Sequence, residues 1–116
     1  MPPYEDEVLL RVFLGESDKH HGRPLYEAIV LKARELHLSG ATVIRGIMSY
    51  GQRSRLHSAK LLRISEDLPV VVEIVDREEM LAPLLSWLDE ALGDGLVTTE
   101  RAGVFRRAPG DCADRS

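Results

Sequence analysis

Pro69-Val70-Val71-Val72-Glu73-Ile74-Val75 is the strongest strand signal in the chain. Valine and isoleucine fill nearly every position, and β-branched residues favour the extended conformation. A short apolar run of this kind is typical of a strand that is buried inside a sheet. The stretch therefore predicts a central strand, and the segments on either side of it predict how the sheet is completed.

The segment that follows this strand predicts a helix and then a weaker strand. Asp76 and Glu79 form an acidic relative of the capping box, and leucines at helical spacing continue up to Gly93-Asp94-Gly95. Pro83 within this pattern predicts a kink or a later start of the helix. Residues 96–105 are partly polar and predict the last strand.

The segment before the central strand predicts a strand, a helix, a second strand and a long loop. Residues 7–14 are short and rich in β-forming residues. The apolar spacing predicts a helix from Pro24 to Leu38, with the proline in its first turn. Residues 41–47 predict the second strand, and residues 49–67 lose the apolar period and predict a loop.

This order of elements, β-α-β-loop-β-α-β, is the ferredoxin-like α+β pattern. It predicts a four-stranded antiparallel sheet with two helices on one face. We expect residues 1–6 to be a flexible arm, 7–107 to be the single domain and 108–116 to be a disordered tail. The other sheet face would be bare, and small domains usually cover such a face with another subunit. We therefore expect a homo-oligomer.

Composition excludes several classes of protein. The formal net charge is −4, which argues against nucleic-acid binding. Cys112 is the single cysteine, so neither an internal disulfide nor a cysteine metal cage can form. No apolar run approaches the length needed to insert into a membrane, and the acidic N-terminus is unlike that of a signal peptide. We expect a cytoplasmic protein.

A basic segment stands out within this acidic chain. No Asp or Glu occurs between Glu35 and Glu66. Guanidinium groups match phosphate oxygens in geometry, and long loops in compact domains are often functional. We interpret the segment as an anion site, most plausibly for phosphate, and a loop kept soluble by its charge is the alternative. The candidate side chains are Arg45, Arg53, Arg55, His57, Lys60 and Arg63.

Two glycines in the same region, Gly46 and Gly51, have the spacing of a phosphate-binding loop. Gln52-Arg53 stands where the Walker motif has Lys followed by Ser or Thr, so the motif fails. Glycines that serve a strand end and a turn are the favoured interpretation.

A polar loop before the first helix contains His20, His21 and Gly22. Histidines bind metals or transfer protons, but adjacent histidines rarely face one ion. We favour a loop that caps the helix and closes over a ligand or a subunit, with Gly22 placed to assist an anion. Trp87 is expected to pack or to anchor an interface. No nucleophile-elbow motif occurs, and we do not expect an enzyme.

Residues 10–47 and 56–76 closely resemble a bacterial and archaeal PII-like family of unknown function. The resemblance covers residues 7–105, and its most specific runs are 15–28, 40–46 and 61–69. It implies the ferredoxin-like fold and relates the chain to the PII signalling proteins. Those proteins are trimers that bind adenine nucleotides in clefts between subunits.

The resemblance also implies roles for particular segments. The PII loop between strands two and three changes shape with the nucleotide and docks onto target proteins, and residues 49–67 match it. The implied ligand is ATP, ADP or AMP with Mg²⁺, the implied partner is a transporter or an enzyme, and the residues at the loop base are Arg45, Gly46 and Gly51. The PII phosphate loop after helix two is basic, whereas residues 93–95 are acidic here.

The sequence thus predicts a PII-like regulatory module that binds a phosphorylated small molecule between subunits. One alternative is a ligand-free protein–protein interaction module. Another is a metal-responsive module that uses His20, His21 and His57, as in the related copper-tolerance fold.

Overall fold

A four-stranded sheet, two helices and a short hairpin make up residues 4–47 and 68–107, the part of the chain that the computed structural model describes. The elements in chain order are β1 (Glu5–Gly15), β2 (Lys19–His20), β3 (Arg23–Pro24), α1 (Leu25–Glu35), β4 (Thr42–Arg45), β5 (Pro69–Asp76), α2 (Glu78–Ala91) and β6 (Leu96–Val104).

The main sheet has the order β4-β5-β1-β6, and all neighbouring strands are antiparallel. The valine-rich strand β5 lies in its interior, next to β1. This order is that of the ferredoxin-like fold, so the predicted α+β architecture is confirmed. β1 begins at Glu5, two residues before the predicted start, so Glu5 and Asp6 belong to the sheet and not to the predicted arm.

The core lies between the sheet and the two helices. Side chains alternate along a strand, so one face of β1 and β5 is apolar and buried. The paired residues Val12 and Val72 are fully buried there, and Leu10 lies opposite Ile74. Each fully buried large aliphatic side chain stabilises the fold by roughly 1.5–3 kcal/mol. The helices contribute Leu25, Ala28, Ile29, Ala33, Leu81, Leu84 and Leu88 to this core.

The first helix is shorter than the periodicity predicts. α1 ends at Glu35, three residues before the predicted Leu38, because His37 takes a left-handed conformation with φ of 63°. The amide of Leu38 donates to the carbonyl of Ala33 at 3.0 Å, and the amide of His37 donates to Arg34 at 3.0 Å. These two bonds form the motif that commonly ends a helix with glycine. Histidine therefore terminates α1 where the prediction relied on Gly40.

The second helix begins close to where the sequence predicts, but the residues at its N-terminus make different contacts from those predicted. α2 includes Pro83 as an internal residue, so the predicted later start is wrong. Asp76 is not the N-cap residue, because that position is taken by Arg77, whose side chain makes no capping hydrogen bond. The Asp76 carboxylate instead accepts the amide of Arg77 at 2.8 Å and the amide of Ser39 at 2.8 Å. Neither α1 nor α2 has the length and apolar character to cross a membrane, and no other helix of the described ranges does.

The short hairpin of β2 and β3 was not predicted, since residues 15–23 look like a polar loop. Its two-residue turn has φ of 53° at His21 and 81° at Gly22. Positive φ at both turn residues is the signature of a type I′ turn, whose twist suits two antiparallel strands. The hairpin places two histidines beside the helices.

Candidate functional site

Several connections of the fold meet at one end of the sheet. Phe13 pairs with Leu96, Gly15 pairs with Pro69, and Arg45 pairs with Val70. At this end of the sheet, therefore, β1 and β4 end and β5 and β6 begin. The predicted site residues Arg45 and Gly46 both lie here, at the base of the segment 48–67.

Arg45 forms an ion pair at this end of the sheet. It is the last residue of β4, and its Nη2 donates a hydrogen bond to Oε2 of Glu16, which follows β1 directly. The Arg45 side chain is 59% exposed and that of Glu16 is 24% exposed. An ion pair this open to solvent is worth only about 0.2–1 kcal/mol. A phosphate can therefore replace the carboxylate on the guanidinium at little cost.

Two backbone hydrogen bonds beside this ion pair hold Glu16, Gly46, Leu68 and Pro69 together, and we call this arrangement the neck. The amide of Gly46 donates to the carbonyl of Pro69 at 2.8 Å, and the amide of Glu16 donates to the carbonyl of Leu68 at 2.8 Å. A Cβ on Gly46 would lie 3.0 Å from Cγ of Pro69, so this close approach suits glycine. Because the Gly46 amide is already bonded, it is not available to a phosphate in this arrangement.

The histidines and Gly22 lie on the hairpin that precedes α1. The rings of His20 and His21 stack with their centroids 4.1 Å apart, and His20 meets Trp87 of α2 edge-on at 5.3 Å. The amide of Leu25, the first residue of α1, donates to the carbonyl of Asp18 at 2.7 Å. The structure thus brings His20 against the sole tryptophan of the chain, a contact that the sequence did not suggest.

The remaining candidates lie outside the described residues. Their proposed roles in binding phosphate stay predictions. They are Gly51, Arg53, Arg55, His57, Lys60 and Arg63. Across positions 4–47 and 68–107, no group of three or more His, Cys, Asp or Glu side chains is arranged to hold a metal ion. His20 and His21 therefore lack a third donor within that part of the chain.

Sequence reasoning missed a second cluster, at the opposite end of β1. Glu7 is almost fully buried, and Arg106 donates to both of its carboxylate oxygens, at 2.6 and 2.9 Å. The hydrogen bond to Glu7 raises the pKa of the Arg106 guanidinium above its ordinary value. Arg106 also donates to Oγ of Ser39 at 3.2 Å, and this hydroxyl donates to Asp76 at 3.0 Å. The cluster fastens the chain after β6 to the connection between α1 and β4.

Comparisons with known proteins agree with this fold. Residues 7–104 match the model of the DUF190 family, which is described as "Uncharacterized ACR, COG1993". A UPF0166 protein of Aquifex aeolicus (strain VF5) is 40% identical over 99 residues, which cover 84% of this chain and 91% of that protein.

Solved structures of CPII, a nitrogen regulatory PII-like protein from Thiomonas intermedia K12, are similar in fold. CPII bound to ADP and bicarbonate matches with a TM-score of 0.65 and 17% identity, covering 89% of this chain and 92% of CPII. CPII bound to ADP, AMP and bicarbonate matches with a TM-score of 0.63 and 15% identity, covering 90% and 98%. At this identity the likeness concerns the fold alone.

Proposed function

The chain belongs to the DUF190 family, and on this basis we propose that it is a PII-like regulatory module, not an enzyme, that binds an adenine nucleotide between subunits. The observation that carries the proposal is the position of Arg45. Its exposed guanidinium lies within the acid-free stretch 36–65, just before the basic loop, in a fold shared with a PII-like protein that has been solved with ADP.

The phosphates would bind at the end of the sheet that holds Arg45. The guanidinium fork suits a phosphate oxygen pair, and its present carboxylate partner is readily exchanged. Further cations for the phosphates would come from the basic segment. The candidates are Arg53, Arg55, Lys60 and Arg63, with His57 and Gly51 in the same segment of sequence and Gly46 just before it.

The bare face of the sheet supports an oligomer. Ile44, Val71, Phe13 and Leu96 lie directly opposite one another and form an apolar row across all four strands. Ile44 is 45% exposed, Phe13 36% and Leu96 57%. Burying such a row against another copy removes apolar surface from water, at about 25 cal/mol for each Å². We favour the trimer that the family resemblance implies.

A charged pair beside the apolar row would determine the relative orientation of the copies in the interface. Nε of Arg11 donates to Oε2 of Glu73 at 2.9 Å on the same face. This hydrogen bond raises the pKa of the Arg11 guanidinium, which like other arginines is charged at any ordinary pH. A charged pair within an apolar patch disfavours arrangements that leave it unmatched. The pair therefore supports one specific interface over general adhesion of the sheets.

Signalling would then pass through residues 49–67. Nucleotide contact at the loop base would order this segment, which would meet a transporter or an enzyme in the cytoplasm. The ligand-free interaction module differs from this proposal in one measurable respect. Its loop would bind the partner equally well with and without nucleotide.

A thermal-shift experiment tests the proposal. The purified protein is heated with ATP, ADP, AMP and cyclic nucleotides, each with and without Mg²⁺. A ligand at 100 times its dissociation constant adds about 2.7 kcal/mol of stability, which raises the Tm by several degrees for a chain of this size. Without ligand, the double variant Arg53→Ala, Arg55→Ala should have the same Tm as the parent. With nucleotide, its Tm should not rise. The absence of a shift with every nucleotide at millimolar concentration would favour the ligand-free module.

A further inference from the structure

A second concave surface lies on the helix side of the domain. It is a groove of about 340 Å³ between α1, α2 and the β2–β3 hairpin. Its lining combines aromatic rings, two cations and one carboxylate with aliphatic side chains. The residues that line it are His20, His21, Arg23, Ala28, Leu31, Lys32, Glu35 and Trp87. Arg45 and Gly46 are not part of it. The groove is therefore separate from the site proposed at the loop base.

One wall of the groove is made of rings. His20 and His21 stack at 4.1 Å with 30° between their planes, and His20 meets Trp87 edge-on at 5.3 Å. Trp87 and His20 are half-buried, and His21 is exposed. Aromatic faces attract a further flat ring through stacking and edge-to-face contacts. This wall is suited to a planar ligand group.

Two cations border the same groove. Nε of Arg23 lies 3.9 Å from Oε1 of Glu27, and Nζ of Lys32 lies 3.5 Å from Oε2 of Glu35, which also lines the groove. Arg23 belongs to β3 and the other three residues to α1, and ion pairs as long as these contribute at most about 0.2–1 kcal/mol. An anion in the groove can therefore draw both cations away from their present partners.

The hairpin that supplies the histidines is held in a costly conformation. His21 is a non-glycine residue at φ of 53°, where L-residues lose roughly 1–2 kcal/mol. A hairpin with two-residue strands is not stable alone, so contacts with the helices must hold it in place. Backbone strain that the surroundings maintain is a feature of functional sites. The turn that contains His21 stacks the ring of His21 on His20, and His20 in turn contacts Trp87.

We propose that this groove is a binding site for a small anion that carries a flat ring, with an aromatic phosphate or carboxylate as the chemical class. The ring packs against His20 and Trp87, and the anionic group lies between Arg23 and Lys32. A volume of about 340 Å³ is at the lower end for ligand pockets, so the ligand is no larger than a mononucleotide. The proposal does not depend on nucleotide binding at Arg45.

Trp87 provides a direct readout, because it is the single tryptophan in the chain. The full-length protein is titrated with phenyl phosphate while tryptophan is excited at its red edge, where the probe does not absorb. We expect a saturable change in emission and an affinity about tenfold higher than that for inorganic phosphate or for phenol. Equal affinity for phenyl phosphate and phenol would overturn the assigned role of the cations, and the lack of a saturable change would overturn the site.

Matched variants test which cations bind the phosphate group of phenyl phosphate. Lys32→Gln and Arg23→Gln should each weaken phenyl phosphate binding about fivefold, the upper end for an exposed ion pair. Lys19→Gln removes a cation from the same hairpin outside the groove, and Arg45→Gln removes one at the other candidate site. Lys19→Gln should bind as the parent does, and Arg45→Gln, whatever it does to phosphate binding at the loop base, should leave the saturable change in Trp87 emission unchanged. An equal loss in Lys19→Gln would mean attraction by general charge and would overturn the proposal, and a loss in Arg45→Gln would place the probe at the loop base. Circular dichroism melting establishes that each variant is folded.

Discussion

The guanidinium of Arg45 is paired with the carboxylate of Glu16, 29 positions earlier in the chain. The pair joins the end of β4 to the first residue after β1, and both segments continue into candidate ligand-binding loops. A phosphate that binds Arg45 must therefore compete with a carboxylate already in place. We therefore expect Glu16 to weaken any anion binding at this end of the sheet.

Removing that competitor should strengthen nucleotide binding. In Glu16→Gln the side chain keeps its size but loses its charge, so we expect affinity for the nucleotide found by thermal shift to rise by up to about fivefold. Arg45→Gln should lower it. Isothermal titration calorimetry measures the affinity of both variants. The control is Glu79→Gln, which removes an exposed carboxylate from α2. Weaker binding by Glu16→Gln would show that the carboxylate supports the site and does not compete with the ligand.

The apolar row on the bare sheet face should control assembly. The double variant Phe13→Thr, Leu96→Thr keeps strand-forming residues but removes two large apolar groups from the row. We expect the oligomer to dissociate to monomers in size-exclusion chromatography with light scattering. Leu85→Gln alters a similarly exposed leucine on α2 and should leave the molar mass unchanged. If the double variant also retains its mass, the copies meet through another surface.

The clamp between Arg106 and Glu7 should contribute to stability. Arg106→Ala leaves the carboxylate of Glu7 buried without its two hydrogen bonds, which costs about 1–3 kcal/mol. Urea unfolding followed by circular dichroism measures the loss. Arg107→Ala changes the neighbouring exposed arginine and should stay within about 0.5 kcal/mol of the parent. Equal stability of the two variants would mean that Glu7 is solvated after the arginine is removed.

Replacing Gly22 in the hairpin turn by alanine should affect stability differently from the same replacement at Gly40. Gly22 has φ of 81°, so Gly22→Ala forces a Cβ into the left-handed region and should cost roughly 1–2 kcal/mol. Gly40 has open space at the position of a Cβ, so Gly40→Ala should be neutral or stabilise by up to about 1 kcal/mol. Thermal melts compare the two variants. Trp87 emission should also shift in Gly22→Ala because His20 moves, and an unchanged spectrum would argue against that coupling.

The architecture could be predicted because its main signals are local. The valine-rich strand and the leucine spacing of α2 each define an element, and their order leaves few possible topologies. The element ends were less accurate. His37 ends α1 in a conformation that favours glycine or asparagine, so the residue type gave no stop signal. Asp76 resembles a helix cap in sequence, but Ser39 and Arg77 use its carboxylate instead.

The candidate site was only partly accessible to sequence reasoning. Arg45 could be found because the basic segment is a compositional anomaly that needs no three-dimensional information. Its partner Glu16 could not, since their contact depends on the pairing of β1 with β5 and of β5 with β4. The same holds for His20 and Trp87, which the hairpin and α2 bring together. Once the register is known, Gly15 opposite Pro69 places Glu16 beside the end of β4.

The neck at Gly46, Pro69, Glu16 and Leu68 separates the scaffold from whatever is inserted between its strands. Two backbone hydrogen bonds of 2.8 Å set the register of β4, β5 and the end of β1 at the point where the insertion departs. Doubling the length of an insertion costs only about 0.6 kcal/mol in closure entropy. We therefore expect changes in the length or sequence of residues 48–67 to leave the register of the sheet and the packing of its core unchanged.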